Sequence, residues 1–180
     1  MFDRFFKAAA LLNALIFAAL VVYTLHGYGG LPDLVAVDFG PAGEPVMGPK
    51  TYLATPVVVI VGAAGLVAAF IAFFTLKRHT IVERYPYLIN IPAVAMILGR
   101  LPRDEARKYI DKLLLPLPLV GAATTALMAL TTYVIIESAK EGRLIIMQNL
   151  LIAGVLAFAV GVGLGTILYF RRIYTQLRGA

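Results

Sequence analysis

Cysteine is absent from the 180 residues. That removes disulfides, thiolate nucleophiles and cysteine-ligated metals together, and it leaves the redox compartment open. Side-chain amides are scarce, limited to Asn13, Asn90, Asn149, Gln148 and Gln176. This scarcity fits a thermophile or simply an amide-poor membrane chain. Charge is also sparse. Only 14% of residues are charged and 61% are apolar, against roughly 25% and 45–50% in soluble domains. No P-loop, dinucleotide fingerprint or His-Glu-x-x-His motif is present, and no nucleophile–base pair recommends itself. The expectation is therefore a protein that is not an enzyme. The two histidines, His26 and His79, belong to opposite ends of predicted spans. They cannot share one haem within a chain, so no cofactor or metal is expected.

What remains is hydrocarbon. A bilayer core of about 30 Å needs roughly 20 helical residues. Four stretches qualify, approximately 8–25, 56–76, 113–136 and 144–170, none with Asp, Glu, Lys or Arg in its interior. Lipid offers backbone groups no partners, so each stretch is expected to be helical. The first could be mistaken for a signal peptide, because Arg4 and Lys7 precede it. It ends in Tyr23, His26 and Tyr28 without a small-x-small cleavage site, so it reads as a retained anchor. Thr55-Pro56 resembles a cap followed by a first-turn proline, marking the start of the second span.

Charge sets the orientation. Every cation except Lys50, Lys140 and Arg143 falls on the two tails or the central loop 77–112. On the other side, Asp33, Asp38, Glu44, Glu137 and Glu141 outnumber those three. The positive-inside rule then makes both termini and the central loop cytoplasmic, in a multi-pass protein of the cell membrane. The net charge of +6 points to a membrane surface. The cations border spans and form no recognised module, so no nucleic-acid partner is expected. The expected fold is an all-α membrane protein forming a single domain over 1–180. Its four transmembrane helices form an antiparallel bundle, with an ordered outer loop (27–55) and a cytoplasmic amphipathic helix.

In the outer loop, Leu34–Phe39 reads as an extended run and Gly40-Pro41-Ala42-Gly43 as a turn. Leu31-Pro32, Phe39, Gly43-Glu44-Pro45 and Gly48-Pro49-Lys50 together resemble the signature of the membrane family called domain of unknown function 1648. The similarity covers roughly residues 10–75. That domain also occurs in SdpI-like proteins, some of which confer immunity to a secreted toxin and signal its presence. The resemblance implies an accessory or regulatory role through the outer loop. The family usually has Pro-x-His ahead of the aromatic residue. Here Ala36-Val37-Asp38 stands there, so a role for that histidine does not carry over. Tyr85–Pro92 is similar to segments that follow the domain in some relatives.

The candidate outer ligand site comprises Asp33, Asp38, Phe39, Gly43, Glu44, Pro45 and Lys50. Its carboxylates either bind a cation or peptide or merely solvate the loop. The spacing is sparser than in calcium sites, which favours solvation.

In the central loop, Ala106, Tyr109, Ile110, Leu113 and Leu114 form a helical stripe after Leu101-Pro102. Asp104 and Glu105 occupy its first turn, and Asp104–Lys108 is an i, i+4 pair. Arg103, Arg107, Lys108 and Lys112 form a basic face expected to meet anionic lipid or a cytoplasmic partner. Ala93–Leu98 is too short to span. Gly161 and Gly165 are spaced for close helix approach, within the chain or between copies. Asn13, Thr124, Thr125, Thr131, Thr132, Gln148 and Asn149 are expected to bond between helices rather than line a transport path. Beyond the lipid bilayer, the partners envisaged are membrane proteins or a second copy. The rival roles are a structural subunit of a transport or respiratory complex and a small homo-oligomeric channel or transporter.

Overall fold

A computed structural model describes residues 2–84, 100–143 and 147–178. Tyr85–Pro92 and Ala93–Leu98 lie outside the described residues, as do the side chains of Gln148 and Asn149. The described chain is mostly helical. Helix α1 is Phe2–Gly29, α2 is Thr51–Arg84, α3 is Arg103–Leu114, α4 is Pro116–Glu141 and α5 is Met147–Arg178. Between α1 and α2, strands β1 (Leu34–Phe39) and β2 (Pro45–Pro49) form an antiparallel hairpin. The first three predicted spans fall in helices long and apolar enough to cross a membrane. The fourth falls in α5.

Helix boundaries run past the hydropathy limits. Helix α2 starts at Thr51, so Thr55 does not cap it and Pro56 lies inside the helix. Proline there forfeits the amide bond to the Tyr52 carbonyl, close enough to the helix start for that carbonyl to reach water. Helix α4 continues through Glu137 and Lys140 to Glu141, so the predicted 137–143 turn starts later. It stops at Gly142, whose φ of 64° is left-handed and whose N–H donates to the Ser138 carbonyl at 3.0 Å. Leu115 keeps helical dihedrals between α3 and α4. Pro116 separates the two helices, because it cannot donate the next bond of α3 and suits the first position of α4.

Helices α1, α2 and α4 pack on one another, and α5 lies against α4 and α3. A glycine permits close approach at each interface of the trio. Gly65 faces Phe17 between α1 and α2, Gly27 faces Ile136 between α1 and α4, and Gly121 faces Ile71 between α2 and α4. These pairs also give the directions: α1 and α4 run parallel, and α2 runs against both.

The trio buries several polar groups among Leu20, Ala64, Ile71 and Ile136, and it leaves large apolar side chains outside. Asn13, Thr125 and Thr132 are fully buried, whereas Leu66, Val58, Phe73, Leu25 and Leu15 are exposed. Water would penalise that arrangement, and hydrocarbon would not. Among the described residues, the threonines bond within their own helix rather than between helices. The hydroxyls of Thr124, Thr125, Thr131 and Thr132 each donate to the carbonyl four residues earlier, at 2.8–3.0 Å. Neither amide atom of Asn13 has a hydrogen-bond partner among the described residues.

Candidate functional site

The hairpin between α1 and α2 is built from its base. Lys50 N–H donates to the Asp33 carbonyl at 3.0 Å, and Lys50 Nζ donates to the Leu31 carbonyl at 3.1 Å. Lys50 Nζ also lies 3.3 Å from the Asp33 carboxylate, and Tyr28 Oη donates to the Lys50 carbonyl at 3.1 Å. Lys50 thus ties the end of α1 to the start of α2. The register pairs Val35 with Gly48 and Phe39 with Pro45, and a bulge falls between Ala36 and Asp38. At the tip Gly43 adopts φ 85°, and its N–H donates to the Gly40 carbonyl. The Glu44 carboxylate turns back to accept from Ala42 N–H at 3.1 Å.

The predicted outer-site residues therefore separate. Asp33 is at the base. Asp38 sits near the far end of β1, where its carboxylate accepts from Phe39 N–H at 2.8 Å. Five residue steps along the chain, at most about 17 Å, separate them. Glu44 caps the turn. Among the described residues no group of His, Cys, Asp or Glu is arranged to hold a metal ion. Gly43, Glu44, Pro45 and Lys50 shape the hairpin, and Phe39 is half-buried.

The hairpin has two unlike faces. Val35 and Leu31 are buried against Leu53, Ile136 and Ala139, with Tyr23 and Tyr28 alongside. Tyr23 Oη also donates to the Glu137 carboxylate at 3.0 Å. This packing fixes the hairpin to the C-terminal ends of α1 and α4 and the N-terminal end of α2. Leu34, Val46 and Met47 remain exposed, as does neighbouring Tyr52.

At the other end of the trio lies a cluster that sequence reasoning missed. Arg78, only 5% exposed, uses three nitrogens. Its Nε donates to Asp111 Oδ1 at 2.7 Å, one terminal nitrogen to the Thr75 carbonyl at 2.7 Å, and the other to Asp3 Oδ1 at 3.1 Å. Its guanidinium also sits over the Phe6 ring at 4.4 Å. His79 Nε2 is 2.8 Å from the same Asp111 oxygen. A carboxylate only accepts, so this contact assigns the ring hydrogen to Nε2. Lys7 and Arg78, bonded to the exposed Asp3 carboxylate, hold it below the ordinary carboxylate range. The cluster joins α1, α2 and α3. The available signal was Arg78 and His79 directly ending an apolar run, with carboxylates in the N-terminal tail and the central loop.

Helix α3 is held on two sides. Its stripe, with Ile110 and Leu113 buried, packs on Ile173, Tyr169, Phe170 and Tyr174 of α5. On the α2 side, Arg107 Nε donates to Glu83 Oε1 at 2.9 Å, and the guanidinium lowers that exposed carboxylate's pKa. Of the predicted basic face, Arg107 is thus engaged with α2. Arg103 and Lys108 are exposed, and Lys112 Nζ sits over the Tyr109 ring at 5.1 Å. Asp104–Lys108 forms no ion pair among the described residues. Finally, an apolar groove of about 470 Å³ runs between α4 and α5.

No family model matches the chain, and no solved structure matches it. A protein of Archaeoglobus fulgidus, described only as uncharacterized, is 30% identical over 153 residues, covering 84% of this chain and 81% of the relative. At that identity and coverage, this chain belongs to the same family as the archaeal protein.

Proposed function

We propose that the chain is a multi-pass protein of the cell membrane, in which α1, α2, α4 and α5 are four successively antiparallel spans. Both termini and α3 are cytoplasmic, and the hairpin is outside. In this reading the protein is not an enzyme. It is an accessory or regulatory protein whose hairpin meets a ligand or partner, in keeping with the loop's resemblance to domain of unknown function 1648 and SdpI-like proteins. The observation that carries the role is the two-faced hairpin. One face is packed on Ile136 and Ala139, and the other leaves Leu34, Val46 and Met47 exposed. A rigid mount with an open aliphatic face suits recognition better than catalysis.

The natural absence of cysteine makes the test clean. Met47→Cys should react with a membrane-impermeant maleimide added to intact cells. Arg103→Cys should react only after the cells are opened. A photo-crosslinker attached to the thiol introduced on the hairpin should then give one discrete adduct in native membranes. Labelling of Arg103→Cys from outside would reverse the topology, and the absence of any adduct would remove the recognition role.

A second reading, a structural subunit of a membrane complex, is favoured by α5. A Cβ placed at Gly154, Gly161 or Gly165 would meet nothing within 4 Å among the described residues, which leaves these small residues open to a partner. Purification in mild detergent should then bring partners at fixed stoichiometry. A self-assembled channel or transporter would instead yield a homo-oligomer that conducts ions in proteoliposomes.

A further inference from the structure

The groove between α4 and α5 has walls that are almost wholly aliphatic and aromatic. Leu119, Val120 and Ala123 line one side, and Phe158, Val162 and Gly165 the other. From Phe158 to Tyr169 the α5 wall rises about 16 Å, close to half of a bilayer's hydrocarbon thickness. The volume of about 470 Å³ lies within the range of small-ligand sites. At the cytoplasmic end the walls are tied together, because Tyr169 Oη donates to the Lys112 carbonyl at 2.6 Å.

Helical periodicity continues both walls into a cation. On α5 the stripe Phe158, Val162, Gly165, Tyr169 steps next to Arg172. On the other wall, Ala123, Leu119 and Pro116 step back to Lys112. Lys112 is half-buried beside Tyr109, and Arg172 is exposed. Neither has an ion-pair partner among the described residues. Helix α5 contains no carboxylate at all, and Asp111 is turned toward Arg78 and His79. A hydrocarbon slot capped by two uncompensated cations is complementary to one class of molecule.

We propose that this groove binds one anionic phospholipid of the cytoplasmic leaflet, with one chain in the slot and the phosphate between Lys112 and Arg172. The proposal rests on the membrane-spanning reading. It goes further than a diffuse basic face, because it fixes one lipid at one place.

The test is native mass spectrometry of the full chain in an uncharged detergent, titrated with phosphatidylglycerol or phosphatidylcholine of equal chain length. One phosphatidylglycerol should bind per chain, at least tenfold more tightly than phosphatidylcholine. Lys112→Gln combined with Arg172→Gln should abolish that preference. Gly165→Leu should weaken both lipids at least tenfold. A Cβ there meets nothing within 4 Å, so this variant fills the slot without a clash at its first carbon. Equal binding of the two lipids by the natural chain, or unchanged binding by Gly165→Leu, overturns the site. Should a variant lose its helical circular dichroism, a photoreactive acyl lipid added to the natural chain decides. Labelling must map to 119–123 and 158–165, and labelling elsewhere overturns the site. Detergent phase separation distinguishes the two levels. A chain that partitions into the aqueous phase sinks the membrane reading and this site with it. A chain in the detergent phase without lipid preference sinks the site alone.

Discussion

Removing Asp111 should be among the most destabilising single changes available in this chain. Arg78 is nearly sealed from solvent, and the Asp111 side chain is only 14% exposed. Asp111→Ala deletes the acceptor of Arg78 Nε and of His79 Nε2 at once. Breaking a buried pair by removing one partner costs about 3–5 kcal/mol. Asp3 still contacts Arg78, but it is more than half exposed and solvent screens it, so it compensates only in part. The expected loss is about 2–4 kcal/mol, or about 4–16 °C in melting temperature by the scaling for chains of this length. Asp111→Asn keeps an acceptor and loses only charge, so it should cost about half as much. The combination Arg78→Met with Asp111→Leu should recover most of the loss, since no unpaired charge remains buried. Thermal melting in one detergent, followed by circular dichroism, measures all three. An Asp111→Ala protein melting within 1–2 °C of the natural chain, a gap of at most about 1 kcal/mol, would refute the argument that Arg78 depends on this carboxylate.

Asn13→Leu should stabilise the protein by about 1–2 kcal/mol, because it replaces a fully buried amide lacking a partner among the described residues with a side chain of similar size; a lower melting temperature would mean that the amide has a role in the fold. Gly121→Val should cost about 1–3 kcal/mol, since its Cβ would collide with Ile71 and force α2 from α4, which melting again reads. Acid should loosen α3 from α2. The Glu83 carboxylate is lowered by Arg107 below its ordinary value of 4.5, so its stabilising effect is fully present above that value and fades as pH falls through the lower folded value. The melting difference between the natural chain and Glu83→Gln should therefore be constant from pH 7 to about 5 and vanish in stronger acid; a difference that persists there would contradict the pairing.

The sequence announces whatever hydropathy and turn chemistry control. The first three apolar stretches became long apolar helices, because each carries its own signal of 20 or so greasy residues. Leu34–Phe39 came out as a strand and Gly40–Gly43 as its turn, since glycine at positive φ is a local requirement. The stripe from Ala106 to Leu114 gave α3 for the same local reason. What stayed hidden is tertiary. Nothing in residues 103–114 alone says that the stripe would pack on Ile173 of α5. Nothing in Asp3, Arg78 or Asp111 alone says that three distant segments would meet around one guanidinium. The outer carboxylates were close in sequence, yet the hairpin spread Asp33 and Asp38 along one strand and used Glu44 to close its own turn. The threonines illustrate a competition that spacing cannot decide, because each hydroxyl found its own helix's carbonyl before it could reach a neighbour.

The pairing of α1, α2 and α4 also bears on the order of events during synthesis. Each interface of that trio is complete by Glu141, before any residue of α5 has been translated. Chains made from the amino end fold their earlier parts first. The nascent protein can therefore bury Asn13, Thr125 and Thr132 and seat its hairpin while the ribosome still holds the rest, and α5 arrives last against a finished surface.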